Sequence, residues 1–177
     1  MPLIPLLTPN LIVNGTVLAL TLDQIMGYGL KGLILDVDET LLPASSGQVS
    51  PELKAWIETL KPQLKLWLVS NNPSFSRIQR IAEDLDLPYY FGAGKPSRRK
   101  LRQAMQSMNL SVEELGIVGD RLLTDVLGGN RLGLFTILVQ PFFTLENDRS
   151  LWTRRSFWIR QVELIILAIN LRQDRRI

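Results

Sequence analysis

An apolar run ends in two acidic residues near the start of the chain, in the segment LILDVDETLLP at 33–43. The run has the composition of a buried strand, and Asp36 and Asp38 follow it with one residue between them. Open α/β sheets bind ligands beyond the carboxyl ends of their strands. Two carboxylates so close repel each other, and a divalent cation with oxygen ligands is the usual compensation. The segment therefore predicts a metal-assisted site after the first core strand.

The composition excludes several classes of enzyme. The 177 residues include neither Cys nor His. Disulfides, zinc–thiolate centres, thiol nucleophiles and imidazole acid–base chemistry are therefore ruled out. Catalysis must use carboxylates, hydroxyls, amines, amides and a metal. The absence of Cys also fits a reducing compartment, so we expect a cytoplasmic protein.

Strand and helix patterns alternate along the chain. Apolar runs of strand length occur at 32–37, 64–69, 89–91, 115–118 and 134–139. Helical patterns lie between them, and Ser50 and Ser97 are predicted to cap two of the helices. Parallel strands joined by right-handed crossovers form a three-layer sandwich. We therefore predict a Rossmann-like α/β fold with a five-stranded parallel sheet and helices on both faces.

The chain is predicted to form one compact domain with three parts. Residues 1–30 are expected to pack on the domain as loop and short elements, because prolines interrupt any long helix there. No basic residue precedes the apolar N-terminal residues, so we expect no signal peptide. Residues 31–141 form the predicted catalytic core. Residues 142–177 are predicted to contain an additional basic amphipathic helix.

Polar side chains follow four of the predicted strands, and parallel strands bring these ends to one edge of the sheet. They are, in chain order, Asp36, Asp38, Thr40, Ser70, Asn71, Lys95, Asp120 and Asp125. One such position would be weak support for a site, because Asp is also common in turns. Four strand ends with compatible chemistry favour a functional site.

The chemistry that fits this set is phosphoryl transfer to water. A carboxylate can attack phosphorus and form an aspartyl-phosphate, while a second acid protonates the leaving oxygen and later deprotonates water. Mg²⁺ would neutralise the acids and the phosphate. The set predicts a Mg²⁺-dependent phosphomonoester hydrolase with a phosphorylated substrate, and no nucleic-acid partner is expected. We expect Thr40, Ser70, Asn71 and Lys95 to contact the substrate.

The same residues resemble the four motifs of the haloacid dehalogenase (HAD) superfamily. The segment DVDET at 36–40 resembles the first motif, and Ser70 and Lys95 resemble the second and third. Gly119-Asp120, followed by Asp125, resembles the fourth. The four motifs span most of the predicted catalytic core.

The resemblance implies a role for each acid. Asp36 would be the nucleophile and Asp38 the general acid/base, with Lys95 also part of the catalytic machinery. Mg²⁺ would be bound by Asp36, the main-chain carbonyl of Asp38 and Asp120, with Asp125 close by. The expected metal ligands are therefore all acidic residues of the first and fourth motifs.

Further segments resemble the YqeG-type phosphatases of HAD subfamily IIIA. They are VSNN at 69–72, GKP at 94–96, GDRLLTDVLGGNRLG at 119–133 and TILVQP at 136–141. Relatives of this type tend to have Asn where this chain has Glu39, and Gln at Arg121. The connections between motifs leave no room for a large cap domain, which implies an open site able to receive a phosphate on a large molecule.

Relatives in mitochondria and plastids that resemble this chain are phosphatidylglycerophosphate phosphatases, so that lipid is the expected substrate. From residue 149 to the end there are seven Arg against two acids. Basic residues beside Trp and Phe suit a helix on an anionic bilayer, which predicts an anionic phospholipid partner and peripheral membrane contact. One apolar stripe of this helix is expected to cover the sheet, and a second apolar face would meet either lipid or another subunit.

Two other functions stay open. The site could hydrolyse soluble phosphoesters or phosphoproteins, or it could bind a phosphorylated partner without turnover. The presence of both Asp36 and Asp38 argues against simple binding, which needs no second acid. The sequence leaves the oligomeric state open.

Overall fold

Six parallel strands form one sheet in the computed structural model, which describes residues 3–142. The strands are β1 (Leu11–Ile12), β2 (Gly32–Leu35), β3 (Lys65–Val69), β4 (Tyr89–Tyr90), β5 (Leu115–Gly119) and β6 (Phe135–Leu138). Their order across the sheet is β1-β6-β5-β2-β3-β4. The predicted parallel α/β fold is confirmed, and the sheet has one strand more than the five predicted.

Helices connect these strands. Within residues 3–142 the α-helices are α1 (Leu3–Leu6), α2 (Leu22–Gly27), α3 (Pro51–Leu60), α4 (Phe75–Leu85), α5 (Arg99–Met108) and α6 (Leu127–Asn130). Short 3₁₀ turns cover Val17–Ala19 and Val112–Glu114, and a π-helical turn covers Leu122–Val126. Between β2 and β3 the chain adds α3 and its loops, and between β3 and β4 it adds α4. No inserted cap domain interrupts the described core.

The alternation of side chains along β2 explains why helices cover both faces. Leu33 and Leu35 enter the core beneath α3 and α4, whereas Ile34 enters the core beneath α5. All four residues of β2 are buried. A central parallel strand buried on both sides is apolar throughout, and this is why its sequence shows a continuous run.

Helix starts follow the predicted caps in part. The Ser50 side chain accepts a hydrogen bond from the Leu53 amide at 3.2 Å, and Pro51 is the first residue of α3. The prediction for Ser97 is wrong, because α5 begins at Arg99. The Ser97 amide instead donates to the Gly94 carbonyl at 2.9 Å and so closes a turn before the helix.

The sixth strand comes from the N-terminal segment. Leu11 pairs with Ile137 on β6, and the Asn10 side chain accepts a hydrogen bond from the Thr136 amide at 2.8 Å. The segment also reaches α3, where the Trp56 indole donates to the Leu20 carbonyl at 2.8 Å. A strand of two residues is too short to show a period, so the sequence pattern did not reveal it.

The boundaries 1–30, 31–141 and 142–177 stay a prediction. The predicted C-terminal helix lies outside the described residues, which end at Phe142. Of the helices within residues 3–142, none combines the length and the apolar character that crossing a membrane requires.

Two glycines bring α6 against the sheet. A Cβ atom at Gly129 would lie 2.5 Å from Ile117 on β5 and 2.6 Å from Thr136 on β6. Any side chain at this position would push the helix away from the strands. Gly128 is also buried, and the added Cβ would lie 3.2 Å from Leu101 on α5. The pair therefore places the preceding π-helical turn close to the end of β5.

Candidate active site

Asp36 and Asp120 follow neighbouring strands at the point where the chain order of the sheet reverses. Strand β2 pairs with β3 on one side and with β5 on the other. Connections that leave in opposite directions open a crevice beyond the carboxyl ends of such strands. The Asp36 amide donates to the Val118 carbonyl at 3.0 Å and continues the pairing of β2 with β5 up to this edge. Both acids therefore enter the same crevice.

Four charged side chains form a buried group at the crevice, here called the acid–lysine cluster: Asp36, Lys95, Asp120 and Asp125. Oxygen atoms of the three carboxylates all lie within 4.8 Å of one another. Lys95 Nζ lies 2.6 Å from Asp36 Oδ1 and 2.7 Å from Asp125 Oδ1. The side chains of Lys95 and Asp125 are each 1% exposed. Three carboxyl groups thus face one ammonium group away from water.

The electrostatics of the cluster are dominated by burial. Burial raises the pKa of Asp36 to about 8; Lys95 opposes this rise, and Asp125 and Asp120 add to it. Burial alone would lower the pKa of Lys95, but the charges of Asp125 and Asp36 outweigh it and raise that pKa. Lys95 is therefore a permanent cation, and the cluster favours further positive charge.

The donor set of the acid–lysine cluster fits a hard divalent cation. Such cations take carboxylate oxygens as ligands, and three are gathered here within 4.8 Å. The hydroxyl of Thr40 donates to Asp120 Oδ1 at 3.1 Å and orients that carboxylate. Asp36 and Asp120 could hold the cation directly, with Asp125 close by.

Asp125 reaches the cluster because Gly119 has no side chain. A Cβ atom at Gly119 would lie only 2.3 Å from Asp125 Cγ. Asp125 lies on the π-helical turn after β5, and its amide donates to the Arg121 carbonyl at 3.1 Å. The Asp125 carboxylate can approach the sheet this closely only because the last residue of β5 is a glycine.

Asp38 lies outside the acid–lysine cluster, in a group here called the rim cluster: the half-buried Asp38, Asn72 and Arg77 and the buried Ser70. The Arg77 guanidinium forms an ion pair with Asp38 Oδ1. Asn72 Nδ2 donates to Asp38 Oδ2 at 3.0 Å, and the Ser70 hydroxyl lies 3.4 Å from the same oxygen. The Asp38 carboxylate is therefore held in one orientation by three side chains.

A sharp turn follows Asp38. Glu39 has a φ of 63°, in the left-handed region, and the Leu41 amide donates to the Val37 carbonyl at 2.9 Å. Asn adopts this conformation more readily than Glu, in keeping with the residue expected in relatives of this type. In this chain Glu39 Oε1 accepts a hydrogen bond from the Ala44 amide at 2.9 Å, which helps to hold the turn.

Asn71 holds the backbone of Lys95. Its Oδ1 accepts from the Lys95 amide at 2.6 Å, and its Nδ2 donates to the Lys95 carbonyl at 3.1 Å. Gly94, immediately before, has a φ of 65°, which favours glycine. The structure thus gives the Asn71 side chain a positioning task, and its predicted contact with substrate stays a prediction.

Apart from Asn71, the predicted site residues fall into two groups that meet at one sheet edge. The acid–lysine cluster contains Asp36, Lys95, Asp120 and Asp125, with Thr40 bonded to it, and the rim cluster contains Asp38 and Ser70. Their catalytic and metal-binding roles stay predictions.

Sequence reasoning missed Asn72 and Arg77 as partners of Asp38. Asn72 stood within the VSNN segment already singled out by its family resemblance. Arg77 lies in the first turn of α4 and directly precedes Ile78, the first buried residue of that helix. A charged residue at that place is the signal that could have found it.

Comparisons with known proteins identify the family of this chain. A family profile described as HAD-hydrolase-like matches residues 92–152. The probable phosphatase YqeG of Bacillus subtilis (strain 168) is 37% identical over 123 residues, which cover 69% of this chain and 71% of that protein. The chain belongs to the YqeG-type HAD-like hydrolases. As a member of this family it is a HAD-type phosphatase that acts on a phosphorylated substrate.

Two further relatives of this HAD-type phosphatase are similar over different extents. Phosphatidylglycerophosphate phosphatase 1 of Arabidopsis thaliana is 26% identical over 150 residues, 80% of this chain and 41% of that protein. The ribonucleotide monophosphatase NagD of Escherichia coli K12 is 42% identical over 72 residues, 41% of this chain and 28% of NagD. A NagD structure superposes with a TM-score of 0.52 at 18% identity, covering 71% of this chain and 94% of that one, and supports the fold alone.

Proposed function

We propose that this HAD-type phosphatase hydrolyses phosphomonoesters with Mg²⁺ and through an aspartyl-phosphate on Asp36. The observation that carries the proposal is the different placement of two acids at one sheet edge. Asp36 lies in the buried cluster beside Lys95, which suits attack on an anionic phosphate. Asp38 lies half-buried on the rim, which suits proton exchange with a leaving group and with water.

Two steps follow from this arrangement. In the first, an Asp36 oxygen bonds to phosphorus while the bond to the ester oxygen breaks, and Asp38 gives its proton to that oxygen. In the second, Asp38 takes a proton from water, and the water oxygen displaces Asp36 and releases inorganic phosphate. Asp38 is then protonated again and ready for the next substrate.

The remaining residues would hold charge and orientation. Mg²⁺ bound by Asp36, Asp120 and the Asp38 carbonyl would supply positive charge that neutralises the carboxylates and the phosphate. Asp125 would lie beside it. Lys95 adds a fixed positive charge within 2.7 Å of two acids.

Ser70 is proposed to hold a phosphate oxygen through its hydroxyl, from a buried position at the end of β3. The hydroxyl also accepts a hydrogen bond from the Asn72 amide at 3.0 Å, and it donates its own proton to Asp38 Oδ2 at 3.4 Å. A phosphate oxygen next to Asp38 would receive that proton.

The substrate that we propose is phosphatidylglycerophosphate, in the synthesis of phosphatidylglycerol. Curated relatives with this activity in their names come from Arabidopsis thaliana and Chlamydomonas reinhardtii. The chain spans less than half the length of either. An uncapped sheet edge supports a large substrate, because no inserted domain covers the described site. A peripheral membrane position, aided by the basic region 142–177, belongs to the same proposal.

The test is phosphate release from a panel of substrates with Mg²⁺ and with EDTA. We expect hydrolysis of phosphatidylglycerophosphate that needs Mg²⁺, with kcat/KM at least about tenfold above that for sugar phosphates and nucleotides. Asp36→Asn should abolish release, and Asp84→Asn, an exposed acid on α4, should leave it unchanged. Normal turnover by Asp36→Asn would contradict the mechanism.

Hydrolysis of soluble esters is the second candidate, favoured by the similarity to NagD. A preference for nucleoside monophosphates over the lipid, with the same dependence on Asp36 and Mg²⁺, would replace the proposed substrate and keep the proposed chemistry.

A further inference from the structure

Two exposed rings and one half-buried ring form a group beside the candidate active site, here called the aromatic cluster: Phe75, Phe91 and Tyr89. The ring centres of Phe75 and Phe91 lie 5.2 Å apart, and those of Phe75 and Tyr89 lie 6.4 Å apart. Phe75 is 50% exposed and Phe91 is 38% exposed. Burial of these rings in an apolar phase would be favourable. Adjacent exposed aromatic rings of this kind mark an interaction surface.

Short connections join the aromatic cluster to the rim cluster. Phe75 begins α4, the helix that supplies the arginine of the rim cluster. The residue after Phe91 is Gly92, whose amide donates to the Asn72 carbonyl at 2.9 Å. The Asn72 side chain in turn donates to Asp38 at 3.0 Å. The exposed rings therefore stand next to the acid that would exchange protons with the leaving group.

Positive charge lies at the same edge of the sheet as the aromatic cluster, where α5 begins. From residue 87 to residue 112 the chain has five Lys or Arg and no Asp or Glu. Lys95 is buried, but Arg99 and Arg102 are exposed on α5. Lys100 lies 4.8 Å from the centre of the Tyr90 ring, which packs against the core beneath α5, whereas Tyr89 packs against the core beneath α4. Apolar rings that share a sheet edge with cations match the boundary between acyl chains and anionic headgroups.

We infer that the aromatic cluster docks the enzyme on an anionic phospholipid bilayer, with Phe75 and Phe91 inserted at the headgroup boundary. The inference rests on the proposed function and deepens it, because it names the surface from which a lipid phosphate reaches Asp38. A second copy of the chain is a poorer occupant. Pairing of this surface with itself would bring the cations of two copies together, which is unfavourable.

The test compares the full chain with the double variant Phe75→Ser/Phe91→Ser in vesicle co-sedimentation. Vesicles of phosphatidylcholine with phosphatidylglycerol should bind the wild type more strongly than vesicles of phosphatidylcholine alone. The double variant should bind the anionic vesicles roughly tenfold more weakly. Hydrolysis of soluble p-nitrophenyl phosphate should be unchanged, because neither ring belongs to the acid–lysine or rim cluster.

Met26→Ser is the matched control. Met26 is 42% exposed on α2, close to the start of β2 and so at the opposite edge of the sheet. This variant should bind vesicles like the wild type, and thermal unfolding should show that both variants are folded. Equal binding by the double variant and the wild type would overturn the inference. A loss of self-association with unchanged vesicle binding would also overturn it.

The test separates this inference from the proposed substrate. In one outcome the double variant loses vesicle binding, while the wild type hydrolyses p-nitrophenyl phosphate but not phosphatidylglycerophosphate. This outcome supports the docking surface and contradicts the proposed substrate. In the other outcome the double variant binds vesicles normally and the wild type hydrolyses phosphatidylglycerophosphate. This outcome supports the proposed substrate and contradicts the docking surface.

Discussion

Asp36 and Asp38 are close in the sequence but lie in contrasting environments. Asp36 is buried against Lys95, and burial raises its pKa to about 8. Asp38 is half-buried and tied to Arg77 on the rim. Strand β2 has already ended, and the left-handed turn at Glu39 follows at once. The contrast teaches that the chemistry of a carboxylate is set by what surrounds it, since the residue type is the same.

The largest test of the buried side is Lys95→Met. The change leaves three carboxylates without their internal cation, so the free energy of unfolding in EDTA should fall by about 3–5 kcal/mol. Added Mg²⁺ should restore part of it, because only the folded state gathers the acids. Urea unfolding measures both effects. Lys54→Met is the control, because Lys54 is exposed on α3. An equal loss of unfolding free energy in that variant would show that Lys95 contributes no more than an exposed lysine.

The rim side is tested by Asp38→Asn. Stability should fall by about 1–3 kcal/mol, less than in Lys95→Met, because the Asp38 side chain keeps some contact with water and Asn can still accept a hydrogen bond. Turnover should fall about 10²–10⁴-fold, as expected for loss of a general acid/base. With p-nitrophenyl phosphate, whose leaving group needs no proton, acid-quench experiments should trap a phosphoenzyme. The Asp36→Asn variant should trap none, and normal turnover by Asp38→Asn would refute the division of roles.

Gly119→Ala tests how closely the buried side is packed. The new Cβ would lie 2.3 Å from Asp125 Cγ, so the carboxylate must move. We expect a loss of about 1–3 kcal/mol in unfolding free energy, together with weaker Mg²⁺ binding by isothermal titration calorimetry. At Gly27 an added Cβ meets nothing within 4 Å, so Gly27→Ala should leave both measurements nearly unchanged. Unaltered Mg²⁺ affinity in Gly119→Ala would show that Asp125 is not needed.

Substitutions of Arg77 test how the orientation of Asp38 affects turnover. Its guanidinium also donates to the carbonyls of Pro43 and Ser46 at 3.2 and 2.7 Å, so it joins the loop after Asp38 to α4. Arg77→Gln should lower kcat roughly tenfold with little change in KM. Arg77→Lys should not restore it, because a lysine cannot serve three acceptors in this geometry.

Arg80→Gln is the control for Arg77, because Arg80 is exposed one turn later on α4. It should have wild-type kcat. Full activity of Arg77→Lys would show that charge alone suffices at this position.

The smallest effect is expected at the exposed ion pair between Lys31 and Glu114. Hydrogen bonds from Lys31, at 2.6 Å, and from Ser111 lower the pKa of Glu114 to about 2. A carboxyl group whose pKa is lowered in the folded state stabilises the fold at pH values above its ordinary pKa of 4.5. This contribution is lost as the pH falls towards 2. The urea midpoints of wild type and Glu114→Gln should therefore differ slightly at pH 7 and converge below pH 4.5. A difference independent of pH would contradict this.

Several elements could be predicted because their signals are local. The apolar runs of β2 and β3 and the Ser50-Pro51 start of α3 matched the structure closely. Strand β1 could not be predicted, because it depends on hydrogen bonds between Asn10 and Thr136, which are 126 positions apart. The role of the Gly128-Gly129 pair is also visible only in the structure, where the absence of side chains allows α6 to pack directly on the sheet.

By itself the sequence determined which strand each acid follows. It also placed Asp36 and Asp120 at one edge, because parallel strands share the direction of their ends. Only the tertiary structure decided that Lys95 lies between Asp36 and Asp125, and that Arg77 holds Asp38. The physical reason is that such contacts depend on register, turn geometry and space between residues far apart in the chain. Local periodicity carries no information about those quantities.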